Sequence, residues 1–422
     1  MTRQMTRTAA LTAAFATFQL ALPAPARAQT PRVQVDVKLS GDISREIRDA
    51  LREVTNGLRE AGSGLREATS GLNDAMRDVS RELGRELGRD LGRDLGNLGR
   101  DIAAGLRDLP DLGHLGAWDG GWTDAQERNW RGEATDRQTR PLAIGANGAI
   151  DVRNLSGDIT VTAGNGRDAS IELIRRSRGR TEADARVGLD RVKVDVQVSG
   201  ARATVKTDYP NERQSNYSVS VDMIVSAPVG TRITVNSVSA DVKVSGVRGE
   251  VSVTTISGDV VITNVGAVSE AKTASGDVTI TGSTGDIALD CGTLSGDVTL
   301  KQVKARRISA STVSGSVTAH DVAADSASLN TMSGDAIYVG DLARNGRYEL
   351  TSHSGDVQFT PSGAVGFTLT ASSFGGDISS SLALQTDGSR TRRRSLSGKV
   401  GDGSATVTLK TFNGDITVGG RK

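Results

Sequence analysis

A turn of the form Ser-Gly-Asp-Val returns through the second half of the chain, and it constrains the fold more than any other sequence feature. Most of the gaps between turns are 18 to 22 residues. The third residue of each turn is Asp241, Asp259, Asp277, Asp297, Ser316, Asp335, Asp356, Asp377, Lys399 and Asp415. Such a period is typical of solenoids, whose repeats are stable only when stacked. The sequence therefore predicts an all-β, β-solenoid-like stack of about nine two-strand rungs over residues 237–420.

Apolar and polar residues alternate on both sides of a weaker half-turn at residues 284–286. Successive side chains of a strand point to opposite faces of the sheet. Val278, Ile280, Ile287 and Leu289 are therefore expected to point inward. Aromatic residues make up only 3% of the chain, which fits a thin core filled by aliphatic side chains.

The turn residues themselves are predicted to be structural. Glycine adopts positive φ without steric cost, and Asp or Ser can hydrogen-bond neighbouring backbone amides. A ladder of carboxylates that binds Ca²⁺ is the alternative, but the Gly-Gly-x-Gly-x-Asp repeat of calcium-binding β-rolls is absent. No metal site is therefore expected. The structural turn residues are Asp259, Asp277, Asp297, Asp335, Asp356, Asp377 and Asp415.

Residues 1–28 have the pattern of a secretory signal peptide. Arg3 and Arg7 precede an apolar stretch, and Ala26-Arg27-Ala28 matches a small-x-small cleavage site. We expect cleavage near Ala28 and export to the periplasm, the cell surface or the medium. No later run approaches the roughly 18 apolar residues that cross a bilayer, so no transmembrane segment is expected.

Residues 29–42 are interpreted as a short linker and residues 43–109 as an amphipathic, coiled-coil-like helical stalk. Leu51, Leu58, Leu65 and Leu72 are seven residues apart, and a shorter Leu-Gly-Arg repeat follows. Seven-residue spacing of leucines is typical of helices that associate along one seam. Three roles stay open for the stalk: a semi-flexible spacer, self-association as a coiled coil, or a helix on a membrane surface.

Two further segments precede the repeat. Residues 110–141 form a linker that contains Trp118, Trp122 and Trp130. These tryptophans are expected to dock on the first strands and cap the open end of the stack; sugar stacking, or no role, are the alternatives. Residues 142–236 alternate with a period of two and are predicted to be an antiparallel β module, with one helix over residues 181–189 capped by Thr181 and Asp184.

No constellation of catalytic or metal-binding residues is apparent in the sequence. His114, His320 and His353 are far apart and lack zinc-ligand spacing, so surface or turn positions are expected for them. Cys291 falls at an inward position and is expected to act as a small hydrophobe. Nucleophile-elbow, phosphate-loop and dinucleotide motifs are missing, so no cofactor is predicted. The net charge of +1 gives no global attraction for nucleic acid.

One cluster of positive charge lies near the end of the chain. Arg390, Arg392, Arg393 and Arg394 stand in a Gly/Ser-rich segment. The arginine fork matches the geometry of carboxylate and phosphate groups. This basic loop is a weak candidate for binding an anionic glycan or lipid head group, and a solvated loop between rungs is the alternative.

The β region resembles a family of exported bacterial domain-of-unknown-function proteins described as "putative adhesins". The resemblance covers residues 141–420 and rests on the run SAPVGT at residues 226–231, on ISGDV at 256–260 and on the closing NGD at 413–415. It implies a β-solenoid-like domain of the cell envelope and carries no catalytic residues. The chain departs from the regular repeat at Ser316 and Lys399, and the stalk is not part of the shared domain.

The leading hypothesis is a non-catalytic envelope protein, either adhesin-like or a structural binding module. Its partner is an envelope polymer or protein that the sequence does not identify, or another copy of itself bound through the stalk. A polymerising envelope scaffold or stress sensor is the second hypothesis. A solenoid enzyme acting on glycans is the third, although the acidic residues lie in the turns and sugar-stacking aromatics are few.

Overall fold

The computed structural model describes residues 130–210, 216–385 and 394–419. The predicted signal peptide, the stalk, Trp118 and Trp122 lie outside these residues, and so do Arg390, Arg392 and Arg393. The described chain is all-β, with 23 strands joined in one sheet. It holds no helix that is both long and apolar enough to cross a membrane.

The N-terminal part of the described chain contains nine strands and a helix. In chain order these are β1 (Gly132–Leu142), β2 (Ala149–Ser156), β3 (Ile159–Gly164), β4 (Ala169–Gly179), α1 (Glu182–Arg191), β5 (Lys193–Ser199), β6 (Arg202–Asp208), β7 (Tyr217–Pro228), β8 (Arg232–Ser239) and β9 (Val242–Ser245). Helix α1 has the predicted cap: Thr181 Oγ1 accepts a hydrogen bond from the amide of Asp184, and the amide of Thr181 donates to the Asp184 carboxylate.

The strands of the repeat follow without a further helix. They are β10 (Glu250–Thr254), β11 (Val260–Val265), β12 (Ala267–Lys272), β13 (Val278–Ser283), β14 (Ala288–Ser295), β15 (Val298–Ser314), β16 (Val317–Ser333), β17 (Ala336–Ser354), β18 (Val357–Ser362), β19 (Phe367–Ser373), β20 (Ile378–Ser380), β21 (Ser395–Val400), β22 (Ala405–Asn413) and β23 (Ile416–Val418). The half-turn at residues 284–286 lies between β13 and β14 as predicted, but β15, β16 and β17 each run unbroken through that corner.

Each rung consists of one strand before a Ser-Gly-Asp turn and one strand after it, and rungs stack in parallel register. Strands before the turn pair in the order β6–β2–β8–β10–β12–β14–β15–β16–β17–β22–β19. Strands after the turn pair in the order β7–β3–β9–β11–β13–β15–β16–β17–β18–β23–β20. The result is a β-solenoid-like, nearly closed sheet, as the repeat predicts.

The rungs do not stack in sequence order at either end. The turn at Asp415 lies between those at Asp356 and Asp377, because β22 inserts between β17 and β19. At the other end, Ser156-Gly157-Asp158 forms an additional turn next to Asp241. The prediction of a separate antiparallel module over residues 142–236 was therefore wrong in part: β2 and β3 are a parallel rung of the stack.

Antiparallel strands flank the stack rather than forming a module before it. Strand β4 pairs antiparallel with β7 and β1, and β5 pairs antiparallel with β6. Strand β1 begins at Gly132, inside the segment that was predicted to be a linker. The prediction failed there because this outer strand is polar and lacks an apolar alternation. At the far end β21 pairs antiparallel with β19. Lys399 lies within β21, so the prediction of a turn there was wrong.

Two of these flanking strands, β5 and β21, cover the outer edges of β6 and β19. Both edges of β6 and both edges of β19 are already hydrogen-bonded to neighbouring strands. A parallel strand of a second copy therefore finds no open ladder at β6 or β19. Covering an exposed strand is a common way to prevent edge-to-edge association.

The core runs along the whole stack and is filled by the inward side chains of both strands. Val278, Ile280 and Leu289 are buried as predicted, and Cys291 is buried with them. Ile287 is only half-buried, because it precedes β14 and sits at the corner between strands. The core aromatics cluster near the C-terminal rungs, where the Tyr338 ring lies 5.4 Å from both the Tyr348 and the Phe359 ring centroids.

Candidate functional site

The Ser-Gly-Asp turns line up along one side of the stack, which we call the turn edge. At this edge the Asp carboxylate of one rung accepts a hydrogen bond from the backbone amide at the same turn position in the next rung. The Oδ1 atoms of Asp241, Asp259 and Asp277 accept from the amides of Asp259, Asp277 and Asp297 at 3.0, 2.9 and 2.8 Å. The contacts continue from Asp335 to Asp356, Asp415 and Asp377. The carboxylates thus join successive rungs.

This carboxylate ladder differs from the local bonding that the sequence suggested. The partner of each carboxylate is 18 or more residues away, not in the same turn. Ser316 replaces Asp in the ladder without breaking it, since its amide donates to Asp297 Oδ1 and its Oγ accepts from the Asp335 amide. Within the described residues, no three His, Cys, Asp or Glu side chains converge to hold a metal ion.

A second ladder lies one layer inside the turn edge and was not predicted from the sequence. In seven rungs, a buried Thr or Ser four residues before the third turn residue donates to the carbonyl of the glycine in the preceding turn of the stack. Thr293 Oγ1 lies 2.9 Å from the Gly276 oxygen, and Thr312 Oγ1 lies 2.9 Å from the Gly296 oxygen. Thr273, Thr331, Ser352, Thr411 and Ser373 repeat the contact. The signal was present in the sequence as a Thr or Ser at a fixed offset.

The turn glycine is required by both conformation and space. Gly296 has φ of 143°, and a Cβ at this position would lie 2.1 Å from the backbone oxygen of Gly276. No side chain fits against a backbone atom at that distance. The side-chain bonds and this close approach make the turn edge a rigid line of rungs spaced about 4.8 Å apart.

The residue just before each turn serine points outward and forms a partly exposed line along the turn edge, which we call the apolar stripe. Nearly all of its members are hydrophobic, although polar positions surround them. In stack order they are Leu155, Val238, Ile256, Ala274, Leu294, Val313, Met332, His353, Phe412 and Phe374. These partly exposed positions do not need apolar residues to fill the core, so the stripe is a candidate contact surface.

The apolar stripe ends in a stack of three rings, which together with Arg394 we call the aromatic end. The His353 and Phe412 centroids are 4.9 Å apart with an interplanar angle of 3°. Phe412 and Phe374 are 4.8 Å apart at 7°. Burial lowers the pKa of His353 below its ordinary value, so the ring stacks in its neutral form. Phe374 is the last ring and is 51% exposed.

Arg394 brings a positive charge to the aromatic end. Its guanidinium carbon lies 5.7 Å from the centroid of Phe374, within the range of a cation–π contact. The Arg394 carbonyl accepts from the amide of Ser373 at 3.0 Å, which fixes its backbone beside the phenyl ring. Of the predicted basic loop, only Arg394 lies within the described residues, and it adjoins an aromatic surface that the sequence did not predict.

Other titratable positions have structural explanations. Burial raises the pKa of the Cys291 thiol, and the Asp290 carboxylate raises it further, so Cys291 behaves as the predicted small hydrophobe. Lys272 is buried, but its Nζ lies 2.6 Å from Asp290 and 3.2 Å from Glu270. A shallow surface pocket includes Arg232, whose guanidinium pairs with Glu250 at 3.5 Å. These charges are neutralised by neighbouring side chains.

Several solved structures are similar to this chain at low sequence identity. A "putative adhesin" from Bacteroides fragilis is 14% identical, with 68% of this chain and 97% of that chain covered and a TM-score of 0.33. A "putative lipid binding protein" from Parabacteroides distasonis is 14% identical over 68% and 97%, with a TM-score of 0.37. A "putative adhesin" from the same species is 11% identical over 69% and 98%, with a TM-score of 0.32.

No curated protein matches the chain. The model of the family described as Toastrack DUF4097 matches residues 147–290, 270–341 and 340–419. These matches span nearly all of the stacked rungs. The chain therefore belongs to the Toastrack DUF4097 family.

Proposed function

We propose that this chain is a non-catalytic, adhesin-like binding module of the cell envelope, exported through its N-terminal signal peptide, that contacts its partner through the turn edge. The observation that carries the proposal is the apolar stripe, which presents one outward side chain per rung on a rigid support. A surface that repeats every 4.8 Å or so suits a repetitive or extended partner. The carboxylates of the turn edge serve the fold, which leaves the stripe as the contact surface.

Repeated weak contacts also explain how such a surface can bind firmly. Most stripe residues are only partly exposed, so one contact contributes little. Contacts made by several rungs at once add up, because the rungs are held in fixed register and lose little freedom on binding. The partner is then an envelope polymer or an extended protein segment.

The test is binding of the labelled full chain to isolated bacterial envelopes. The variant Leu294→Lys/Val313→Lys places two charges in the middle of the apolar stripe. We expect envelope binding to weaken by roughly tenfold or more, because desolvated lysines oppose apolar contact. The matched control is Thr299→Lys/Thr318→Lys, which adds the same charges to the same rungs on partly exposed positions away from the turn edge.

Equal binding by the parent and the stripe variant would show that the turn edge is not the contact surface. Release of reducing ends or unsaturated sugars from the envelopes by the parent would identify a glycan-active enzyme instead. Melting curves of all variants accompany the binding data, so that loss of fold is recognised separately.

A further inference from the structure

We propose that the exposed face of the aromatic end is a binding site for an acidic saccharide, formed by Phe374, Asp377 and Arg394. This inference rests on the proposed function and names the ligand class for one end of the turn edge. The three side chains supply an apolar ring, an acceptor for hydroxyl groups and a guanidinium for the acid group.

Phe374 supplies the flat apolar surface. Its amide donates to the Thr411 oxygen at 3.2 Å, and the next amide, of Gly375, donates to the Phe412 oxygen at 2.7 Å, so its backbone is held in place. One face of the ring meets Phe412, while half of its surface stays in water. The electron-rich face of an aromatic ring attracts groups of positive polarity, such as the C–H groups of a sugar ring.

Asp377 is the last residue of the carboxylate ladder. Its amide donates to Asp415 Oδ1 at 2.9 Å, as in the other rungs. No later rung among the described residues uses the carboxylate of Asp377, which is exposed. This carboxylate differs in that respect from those of Asp259 and Asp277, and as a charged acceptor it suits the hydroxyl groups of a saccharide.

Arg394 selects an acidic ligand. Its guanidinium is always charged and offers paired N–H donors that match a carboxylate. Because Arg394 lies over Phe374, a sugar that contacts the ring also brings its acid group close to the guanidinium.

The experiment measures binding of the full chain to polygalacturonate by calorimetry, with neutral dextran and phosphatidylglycerol vesicles as comparison probes. We expect polygalacturonate to bind and the other two to bind at least about tenfold more weakly, because only the first combines a sugar ring with an acid group. Phe374→Ala and Arg394→Ala should each weaken polygalacturonate binding by roughly tenfold. Arg394→Lys should restore part of the loss, since it keeps the charge but not the fork.

The matched controls are exposed residues elsewhere on the chain. Val229 is 44% exposed, and the Arg186 side chain is 71% exposed on helix α1, so Val229→Ala and Arg186→Ala should bind polygalacturonate as the parent does. Equal affinity for dextran, equal affinity for vesicles, or unchanged binding by Phe374→Ala would each overturn the proposed saccharide site.

The same variants separate this inference from the proposed function. If Phe374→Ala and Arg394→Ala bind envelopes and polygalacturonate like the parent while the stripe variant loses envelope binding, the saccharide site is wrong and the binding module stands. If the parent binds no envelope at all but still binds polygalacturonate through Phe374, the proposed function fails and the saccharide site stands.

Discussion

The two corners of each rung solve the same problem of reversing the chain in different ways. At the turn edge, Gly, Asp and Thr recur in almost every rung because their atoms bond to the next rung. At the opposite corner, the left-handed conformation is taken by Gly246, Asn264, Gly282, Gln302 and Asp321, with φ between 53° and 78°. The backbone requirement there is the same from rung to rung, but the side chain is not.

This difference shows what makes a structural repeat visible in a sequence. A left-handed residue costs a non-glycine side chain about 1 to 2 kcal/mol, which one rung of a large stack can tolerate. Substitution is tolerated far less at a position whose side chain hydrogen-bonds to the next rung. The same holds for a glycine whose backbone lies against the backbone of the next rung. The turn edge therefore keeps its residue types while the opposite corner varies.

The largest expected effect compares a glycine from each corner. Gly296→Ala should destabilise the fold by about 3 kcal/mol or more, because the new Cβ meets the Gly276 backbone oxygen at 2.1 Å. Gly282→Ala should cost only about 1 kcal/mol, since its Cβ meets the Asn264 side-chain oxygen at 2.6 Å, and that side chain can rotate. Urea unfolding of both variants measures the difference, and equal costs would contradict the distinction between the corners.

A smaller effect is expected from the inner ladder. Thr312→Val keeps the shape of the buried side chain but removes the donor to the Gly296 oxygen. We expect a loss of about 1 to 2 kcal/mol in the free energy of unfolding, because the Gly296 carbonyl loses its side-chain donor. Thr299→Val, in the same strand but outside the ladder and partly exposed, is the control and should change stability by less than about 0.5 kcal/mol.

The smallest effect is a dependence on pH at the aromatic end. Burial lowers the pKa of His353, so the folded chain binds a proton less readily than the unfolded chain. Stability from this residue is complete above the unfolded pKa of about 6.5 and falls as pH drops below that value. His353→Phe keeps a ring in the stack and should flatten the urea midpoint between about pH 7 and pH 5. If the urea midpoint changes equally with pH in the parent and in the variant, His353 is not the source of the pH dependence.

The repeat was predictable from the sequence because the same contacts between rungs require the same residue types in every rung. The turn spacing and the inward positions of Val278, Ile280 and Leu289 follow from local patterns that every rung shares. The inner ladder was equally present in the sequence, since Thr273, Thr293, Thr312 and Thr331 all stand four residues before the third turn residue. The basic loop was recognised in the sequence from its cluster of arginines, but the contact between Arg394 and Phe374 was not predicted.

The remaining features depend on contacts that no local pattern encodes. The amide of Asp415 bonds to a carboxylate 59 residues away, and sequence spacing gives no reason to place its rung before that of Asp377. Strand β1 is polar because it lies at the outside of the sheet, and its sequence therefore predicted a linker and not a strand. Phe374 is exposed because its rung is the last of the stack, a position that no local pattern encodes.

The turn Asp residues join successive rungs through the carboxylate ladder, and we predict that they bind no ion. The decisive measurement is the melting temperature of the full chain with and without millimolar calcium, for the parent and for Asp277→Asn/Asp297→Asn. Asparagine keeps the Oδ1 acceptor for the next amide, so we expect the variant to melt within about 3 °C of the parent and calcium to shift neither protein. A calcium-induced rise of roughly 5 °C or more in the parent that disappears in the Asn variant would contradict it.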